Sequence, residues 1–180
     1  MGGTALFFGS HILYGIRQTL GTSVDGANIP FIVESDPFAY ITEGTTGDAY
    51  PAIVIEPIKW PSVDNAFEPQ NVLQRYEANI FYVEHLRNLN TEGAYRRVRD
   101  RTSQLAQRIA NKQSLSLPNP LDGTSGNSFV HYVEVSEIDL RPPEHRQMQE
   151  AGQRKVISRF TTVVEVITPK PAARTDYTVG

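Results

Sequence analysis

The clearest hydrophobic pattern in the chain lies between Thr91 and Asn111. Apolar side chains recur there three and four positions apart, as they do on one face of an α-helix: Tyr95, Val98, Leu105 and Ile109. Thr102 and Ala106 fall on the same arc. Glu92 suits the positive end of the helix dipole. The pattern predicts one long helix over 91–111 that lies across a sheet.

Runs of alternating or β-branched residues on both sides of this helix predict strands. Asn71–Glu84 is the longest alternation, and it places Val72, Tyr76, Ala78, Ile80 and Tyr82 on one face. We expect this half-buried strand to form a hairpin with Ala52–Ile58. The other predicted strands are Ile29–Glu34, Phe129–Leu140 and Lys155–Ile167, with a further short one at Phe38–Thr42.

The remaining segments predict a short helix and several long loops. Residues 4–20 form an amphipathic helix that Gly21 ends. Pro57 and Pro61 place the end of the strand that starts at Ala52 on a sheet edge or outside the ladder. Loops are predicted at 36–50, 59–70, 113–127 and 141–154, the second of which contains Trp60.

The order of these elements indicates the fold class. Strands cluster on both sides of one long helix without strict strand–helix alternation. We therefore expect an α+β fold: a mostly antiparallel sheet packed by one long helix and a short N-terminal helix, with long loops. Residues 1–168 are expected to form a single domain, and 169–180 an extended C-terminal tail.

Composition limits the cellular compartments and the kinds of site that fit this chain. The chain has no cysteine, which removes disulfides and thiolate zinc sites together. No apolar run approaches the roughly 18 residues that cross a bilayer. The apolar start lacks a preceding basic region, so a secretory signal is a poor interpretation. We expect a soluble protein of a reducing compartment, with no membrane partner.

No motif in the sequence indicates catalysis. The histidines at 11, 85, 131 and 145 form no HExxH pair, and Ser10 lies in no GxSxG elbow. The glycine pairs at 44/47 and 123/126 lack the Lys-Ser/Thr of a phosphate-binding loop. We therefore predict that the protein is not an enzyme and has no catalytic residue, cofactor or metal site.

Arginine is the one unevenly distributed residue type. Residues 91–112 contain six Arg or Lys against two acidic residues, while the whole chain has a net charge of −3. Arg97, Arg101 and Arg108 form a row, here called the arginine row, nearly opposite the apolar stripe. A solvated helix face, a nucleic-acid surface and a contact with an acidic neighbouring subunit all fit this pattern.

A pI near 5.8 argues against a dedicated DNA-binding protein, so an acidic neighbouring subunit is the preferred partner. Further arginines near the 141–154 loop add basic charge, and Trp60 is a candidate hydrophobic anchor. The candidate subunit-interface residues are Arg97, Arg101, Arg108, Arg141, Arg146, Arg154 and Trp60.

The order of elements resembles a known family. The elements that carry the resemblance are an N-terminal helix, a strand introduced by Ile29-Pro30, a second entry into the sheet at Tyr50–Ile55, a long helix with the Tyr95–Ile109 stripe and two closing strands. Their order is similar to the order in tail terminator (tail completion) proteins of long-tailed bacteriophages. The resemblance is one of element order over residues 4–167, without a diagnostic motif.

The resemblance implies a structural virion protein of the tail or neck, assembled in the host cytoplasm. Such proteins form a homo-oligomeric ring, commonly a hexamer, that caps the tail tube and joins it to the head. The implied partners are copies of itself and the adjacent tail-tube and neck proteins, with DNA passing through the lumen without specific binding. Another phage neck, tail-tube or baseplate component is an alternative. A nucleic-acid-binding module that uses the arginine-rich helix is another.

Overall fold

A computed structural model describes residues 9–29, 31–34, 51–64, 71–85, 91–111, 114–118, 125–140 and 155–169. These residues form two helices and eight strands. The helices are α1 (Gly9–Leu20) and α2 (Thr91–Ala110). The strands are β1 (Ser23–Val24), β2 (Ala27–Asn28), β3 (Phe31–Glu34), β4 (Ala52–Asp64), β5 (Asn71–His85), β6 (Ser114–Pro118), β7 (Ser125–Val135) and β8 (Lys155–Pro169).

Six of the strands form one sheet in the order β3-β4-β5-β8-β7-β6. Only β3 and β4 run parallel, and every other neighbouring pair is antiparallel. The centre of the sheet is the pair β5–β8, which stays in register from Asn71↔Pro169 to His85↔Lys155. This architecture confirms the predicted α+β class and the predicted pairing of β4 with β5.

Both helices pack on the same face of the sheet, here called the helix face. The stripe predicted for the long helix is its buried side, where Val98, Thr102, Leu105 and Ile109 are at most 1% exposed. Apolar residues of α1 join them over alternate residues of the strands. The core cluster includes Ile12, Ile16, Leu20, Ile53, Ile55, Tyr76, Ala78, Ile80, Tyr82, Val156, Phe160 and Val164. Burial of this stripe is the main contribution to helix stability.

A tight turn follows α1 and places a small hairpin beside α2. Gly21 has a φ of 71° and its N–H donates to the Arg17 carbonyl, so Gly21 ends the helix as predicted. Asp25 and Gly26, with φ of 48° and 69°, then form the two-residue turn between β1 and β2. An Asp-Gly pair with positive φ at both positions is typical of a type I′ turn. The sequence prediction missed this hairpin.

Strand β4 corrects the predicted loop over 59–70. The strand continues to Asp64 and includes Trp60, and its partner along this length is β5. The register shifts on both sides of Lys59 absorb the two prolines. Because β3 pairs only with Ala52–Ile55, the prolines lie where β4 is a sheet edge among the described strands. Among the described strands, Pro57 and Pro61 therefore lie on a sheet edge, as the sequence predicts.

Two further boundaries differ from the prediction. Part of the loop expected at 113–127 is strand, because β6 and the start of β7 form an antiparallel hairpin. Strand β7 then ends at Val135 and not at Leu140. Serine-rich alternation carries little hydrophobic signal, so pairing with a neighbouring strand decides the structure here.

Several predicted features fall elsewhere in the chain. Residues 4–8, the strand at Phe38–Thr42, the loop at 141–154 and residues 170–180 of the predicted tail lie outside the described residues. Pro169, the first residue of that predicted tail, is the last residue of β8.

Candidate interaction surfaces

The arginine row contacts the body of the protein. Arg97 Nε donates to Glu84 Oε2 over 2.8 Å, and Arg101 Nη1 donates to Glu84 Oε1. Glu84 is only 5% exposed and lies near the end of β5, beneath the first turns of α2. A carboxylate at such depth is tolerated when charged donors surround it. These two arginines therefore hold α2 on the sheet.

Tyr82 completes this buried cluster. Its hydroxyl donates to Glu84 Oε1 over 2.8 Å and accepts from Arg101 Nη1 at 3.3 Å. Burial, and then the charge of Glu84, raise the pKa of Tyr82 well above its ordinary value. The pKa of Arg101 is also raised, because its bonds to Tyr82 and Glu84 outweigh the lowering caused by burial. Both groups hold their protons throughout the ordinary pH range.

Arg108 joins α2 to α1. Its Nη1 donates to the carbonyls of Leu20 and of Ser23, the latter at 2.7 Å. The Leu20 carbonyl is one of the last of α1, where a cation also complements the helix dipole. Arg101 adds a longer contact to the same region, with 3.8 Å between its Nε and Asp25 Oδ2. Arg108 and Arg101 thus fix the turn after α1.

The other two arginines of α2 have weaker partners on their own helix. Arg96 lies 3.8 Å from Glu92, and Arg99 lies 3.3 Å from Asp100. All five arginines of α2 therefore have a partner within the chain. The solvated face suggested by the sequence is wrong for Arg101, which is 14% exposed, and for Arg108, which clamps α1. A subunit-interface role for Arg97, Arg101 and Arg108 stays a prediction.

The structure does not bring the remaining candidate interface residues to the arginine row of α2. Trp60 lies in β4, at the part of that strand with β5 as its described partner. Arg141, Arg146 and Arg154 lie outside the described residues. Their assignment to an interface also stays a prediction. The sequence-based reasoning missed Glu84, although a carboxylate at the end of an apolar strand, just before an arginine-rich helix, is a usable signal.

The sheet face opposite the helices, here called the open face, carries a second set of ordered polar residues. Arg75 and Glu165 are direct cross-strand partners and form an ion pair of 3.2 Å. Tyr132 pairs with Glu165 from the other side, and its hydroxyl donates to Glu134 Oε2 over 3.1 Å. The Arg75 side chain is 46% exposed, and Tyr132 is 45% exposed. Two large side chains are thus held in place while exposed to solvent.

A hydrogen-bonded ladder crosses the same face. Asn79 Nδ2 donates to Glu56 Oε2, and Thr161 Oγ1 donates to Asn79 Oδ1, each over 2.8 Å. The Thr161 N–H donates to Ser136 Oγ, also over 2.8 Å. The ladder therefore runs from β4 through β5 and β8 to the segment after β7, and it stiffens this surface.

The open face changes character along the strands. Next to the ladder on one side are apolar residues that are completely buried: Ala52, Val54, Phe81, Val83 and Ile157. The predicted half-buried character of the 71–84 strand is therefore wrong at Phe81 and Val83. By register, the ladder and the strand positions on its other side include four glutamates and two basic residues: Glu56, Glu77, Glu134, Glu165, Lys59 and Arg75. Its exposed part is consequently acidic.

Other features offer little chemistry. A shallow groove of about 350 Å³ runs between α2 and the end of β7, lined mainly by Ala106, Ala110, Val135 and Ile138. In the described ranges, no group of three acidic or histidine side chains is placed to hold a metal ion. No helix among the described elements is long and apolar enough to cross a membrane.

The sequence matches no protein-family model and no characterised protein at a significant level.

Proposed function

We propose that this chain is a structural virion subunit, a tail terminator that assembles into a homo-oligomeric ring. The ring would cap the tail tube and join it to the head, after assembly in the host cytoplasm. The observation that supports this proposal is the open face, where Arg75 and Tyr132 are ordered by Glu165 and Glu134 yet nearly half exposed.

The composition of this surface suits protein–protein contact. Tyrosine and arginine are enriched at interfaces and at the residues that dominate binding energy. Their neighbours already fix Arg75 and Tyr132, so a partner that binds here meets side chains that lose little conformational freedom. A rigid sheet with helices on one face and ordered polar residues on the other can be stacked repeatedly in a closed assembly.

The open face favours a structural role over the nucleic-acid alternative. That alternative depends on free arginines along α2, and all five have partners within the chain. The exposed part of the open face is acidic and would repel a phosphate backbone. Both features fit a protein through which DNA passes without specific binding.

The mass of the purified protein in solution tests the proposal. Light scattering coupled to size exclusion, or native mass spectrometry, should give a multiple of the 20.1 kDa chain mass, and negative-stain images should show rings. A monomer at concentrations of about 100 μM or more would contradict the proposal, because subunits of a stable ring associate well below that level.

A matched pair of variants assigns the contact to the open face. Tyr132→Ala should shift the mass toward the monomer, because it removes an exposed aromatic anchor. Tyr14→Ala is the control, because Tyr14 is 40% exposed but lies on α1. Equal masses for both variants and the native chain would leave the ring in place and remove the open face as its interface.

A further inference from the structure

Among the described strands, the sheet has an edge at β3 and at the distal part of β4. Strand β3 has four residues, and β4 is its neighbour among the described strands. It pairs with β4 only at Ala52–Ile55. Beyond that point, no strand among the described residues pairs with the outer edge of β4. Unpaired edges invite strand addition from another copy, and natural proteins block them with specific devices.

Arg17 supplies one such device. This residue lies in the last turn of α1, and its Nη2 donates to the Ile32 carbonyl of β3 over 2.9 Å. The guanidinium thus occupies a backbone acceptor in the middle of a four-residue strand. A charged side chain beside an edge strand also imposes a desolvation cost on any strand that approaches it.

Two prolines and an irregular register supply the other devices. Pro57 and Pro61 have no backbone N–H, and prolines inside a strand are tolerated where the missing donor would face away from the ladder. The register of β4 against β5 shifts between Pro57 and Lys59 and again between Lys59 and Ser62. An added strand would therefore find neither a regular spacing nor a complete set of donors.

We infer that Arg17, Pro57 and Pro61 close the β3–β4 edge against a strand from a second copy of this chain. This role goes beyond the proposed function, which concerns the open face. Copies of the chain are therefore excluded from joining through one continuous sheet at this edge, and contacts between subunits form through side chains elsewhere.

The test restores the edge and looks for strand addition. Arg17→Ala frees the Ile32 carbonyl, and Pro57→Val with Pro61→Val returns two donors. Each recovered hydrogen bond should raise the association constant by up to about tenfold. Analytical ultracentrifugation measures association, and hydrogen exchange of the β3 amides reports strand addition directly. Gln18→Ala is the control, because Gln18 is the exposed neighbour of Arg17.

The expected result is stronger association of the triple variant, with slower exchange of the β3 amides as its concentration rises. The control and Arg17→Lys, which keeps a cationic donor, should behave as the native chain does. If circular dichroism shows that the triple variant does not fold, Arg17→Ala alone decides by the same measurements. Unchanged association and exchange in a folded variant would overturn the inference. So would β3 amides of the native chain that become protected upon oligomerisation.

A ring that persists in every variant leaves the proposed function untouched, and a native monomer leaves the edge inference untouched. The two proposals therefore fail separately.

Discussion

The two faces of the six-stranded sheet use charged side chains in opposite ways. On the helix face, Glu84 is almost completely buried and binds Arg97, Arg101 and Tyr82. On the open face, Arg75 and Glu165 form a pair whose arginine remains 46% exposed. Charges that join two layers stabilise the fold, whereas similar charges on the open face cost little to leave in water.

The comparison also explains why an arginine-rich helix does not imply a basic surface. Charge counted along α2 suggests a cationic stripe, but three of its five arginines contact residues of other elements: Glu84, Tyr82, Leu20, Ser23 and Asp25. The net charge counted along a helix therefore describes its surface only after the residues that contact it from other elements have been taken into account.

The largest expected effect tests whether the two faces are equally well packed near Phe81. Phe81→Ala on the open face and Phe160→Ala on the helix face should each lower the free energy of unfolding by about 3–5 kcal/mol, because both side chains are at most 1% exposed. Urea unfolding at fixed protein concentration measures both. A loss below about 1 kcal/mol at Phe81 alone would show that its burial contributes little to stability.

The next effect concerns the buried carboxylate. Glu84→Gln keeps the shape but leaves Arg97 without a counter-charge and Arg101 with only its longer contact to Asp25, so the free energy of unfolding should fall by about 2–3 kcal/mol. Glu134→Gln on the exposed part of the open face is the control and should change it by less than about 0.5 kcal/mol. Equal effects in chemical denaturation would remove the contrast between the faces.

Arg108→Ala should have a smaller effect. It removes charged hydrogen bonds to the carbonyls of Leu20 and Ser23, which water can partly replace, so we expect a loss of about 1–2 kcal/mol. Hydrogen exchange should become faster around residues 20–28 first. Arg96→Ala, which removes only an exposed contact with Glu92, should leave both measurements unchanged.

The raised pKa of Tyr82 predicts a dependence of stability on alkaline pH. The folded state holds this proton more tightly than the unfolded state, so the stabilisation is complete below about pH 10. It is lost as the pH rises toward the folded-state pKa, by up to about 1.4 kcal/mol per pH unit. Guanidinium titrations between pH 9 and 11 should show a shallower decline for Tyr82→Phe, and identical slopes would contradict the assignment.

The smallest effect on stability should come from the open face. Arg75→Ala removes an ion pair with Glu165 that is largely exposed on the arginine side, so unfolding should change by less than about 1 kcal/mol. The same variant should weaken self-association, because Arg75 lies beside Tyr132 on the proposed contact surface. Loss of stability without loss of association, in denaturation and light scattering, would assign Arg75 to the fold alone.

The sequence was a good guide wherever hydrophobic periodicity decides the structure. The stripe from Val98 to Ile109 gave the helix and its buried side, and alternation gave the core face of β5 through Tyr76, Ala78 and Ile80. Backbone pairing decided the rest. The β6–β7 hairpin and the extension of β4 past Pro57 depend on backbone pairing with the next strand along the chain, which the local hydrophobic pattern does not show.

The candidate surfaces were less predictable for the same reason. Arg75 is on the polar side of its strand in the sequence pattern, but its ion-pair partner, Glu165, lies on a strand 90 residues away. The role of Glu84 likewise appears only when α2 is laid across β5. The Asp25-Gly26 turn is different, because the Asp-Gly dipeptide is by itself a signal for a two-residue hairpin turn.

The placement of β8 at the centre of the sheet has a consequence for how the molecule is made. This strand joins β5 on one side and β7 on the other, and its partners on β5 are separated from it by α2 and the β6–β7 hairpin. During synthesis, β5 therefore lacks its β8 partner until a much later part of the chain has left the ribosome. Folding should therefore be slow and limited by this late closure, with nascent chains dependent on chaperones until β8 is in place.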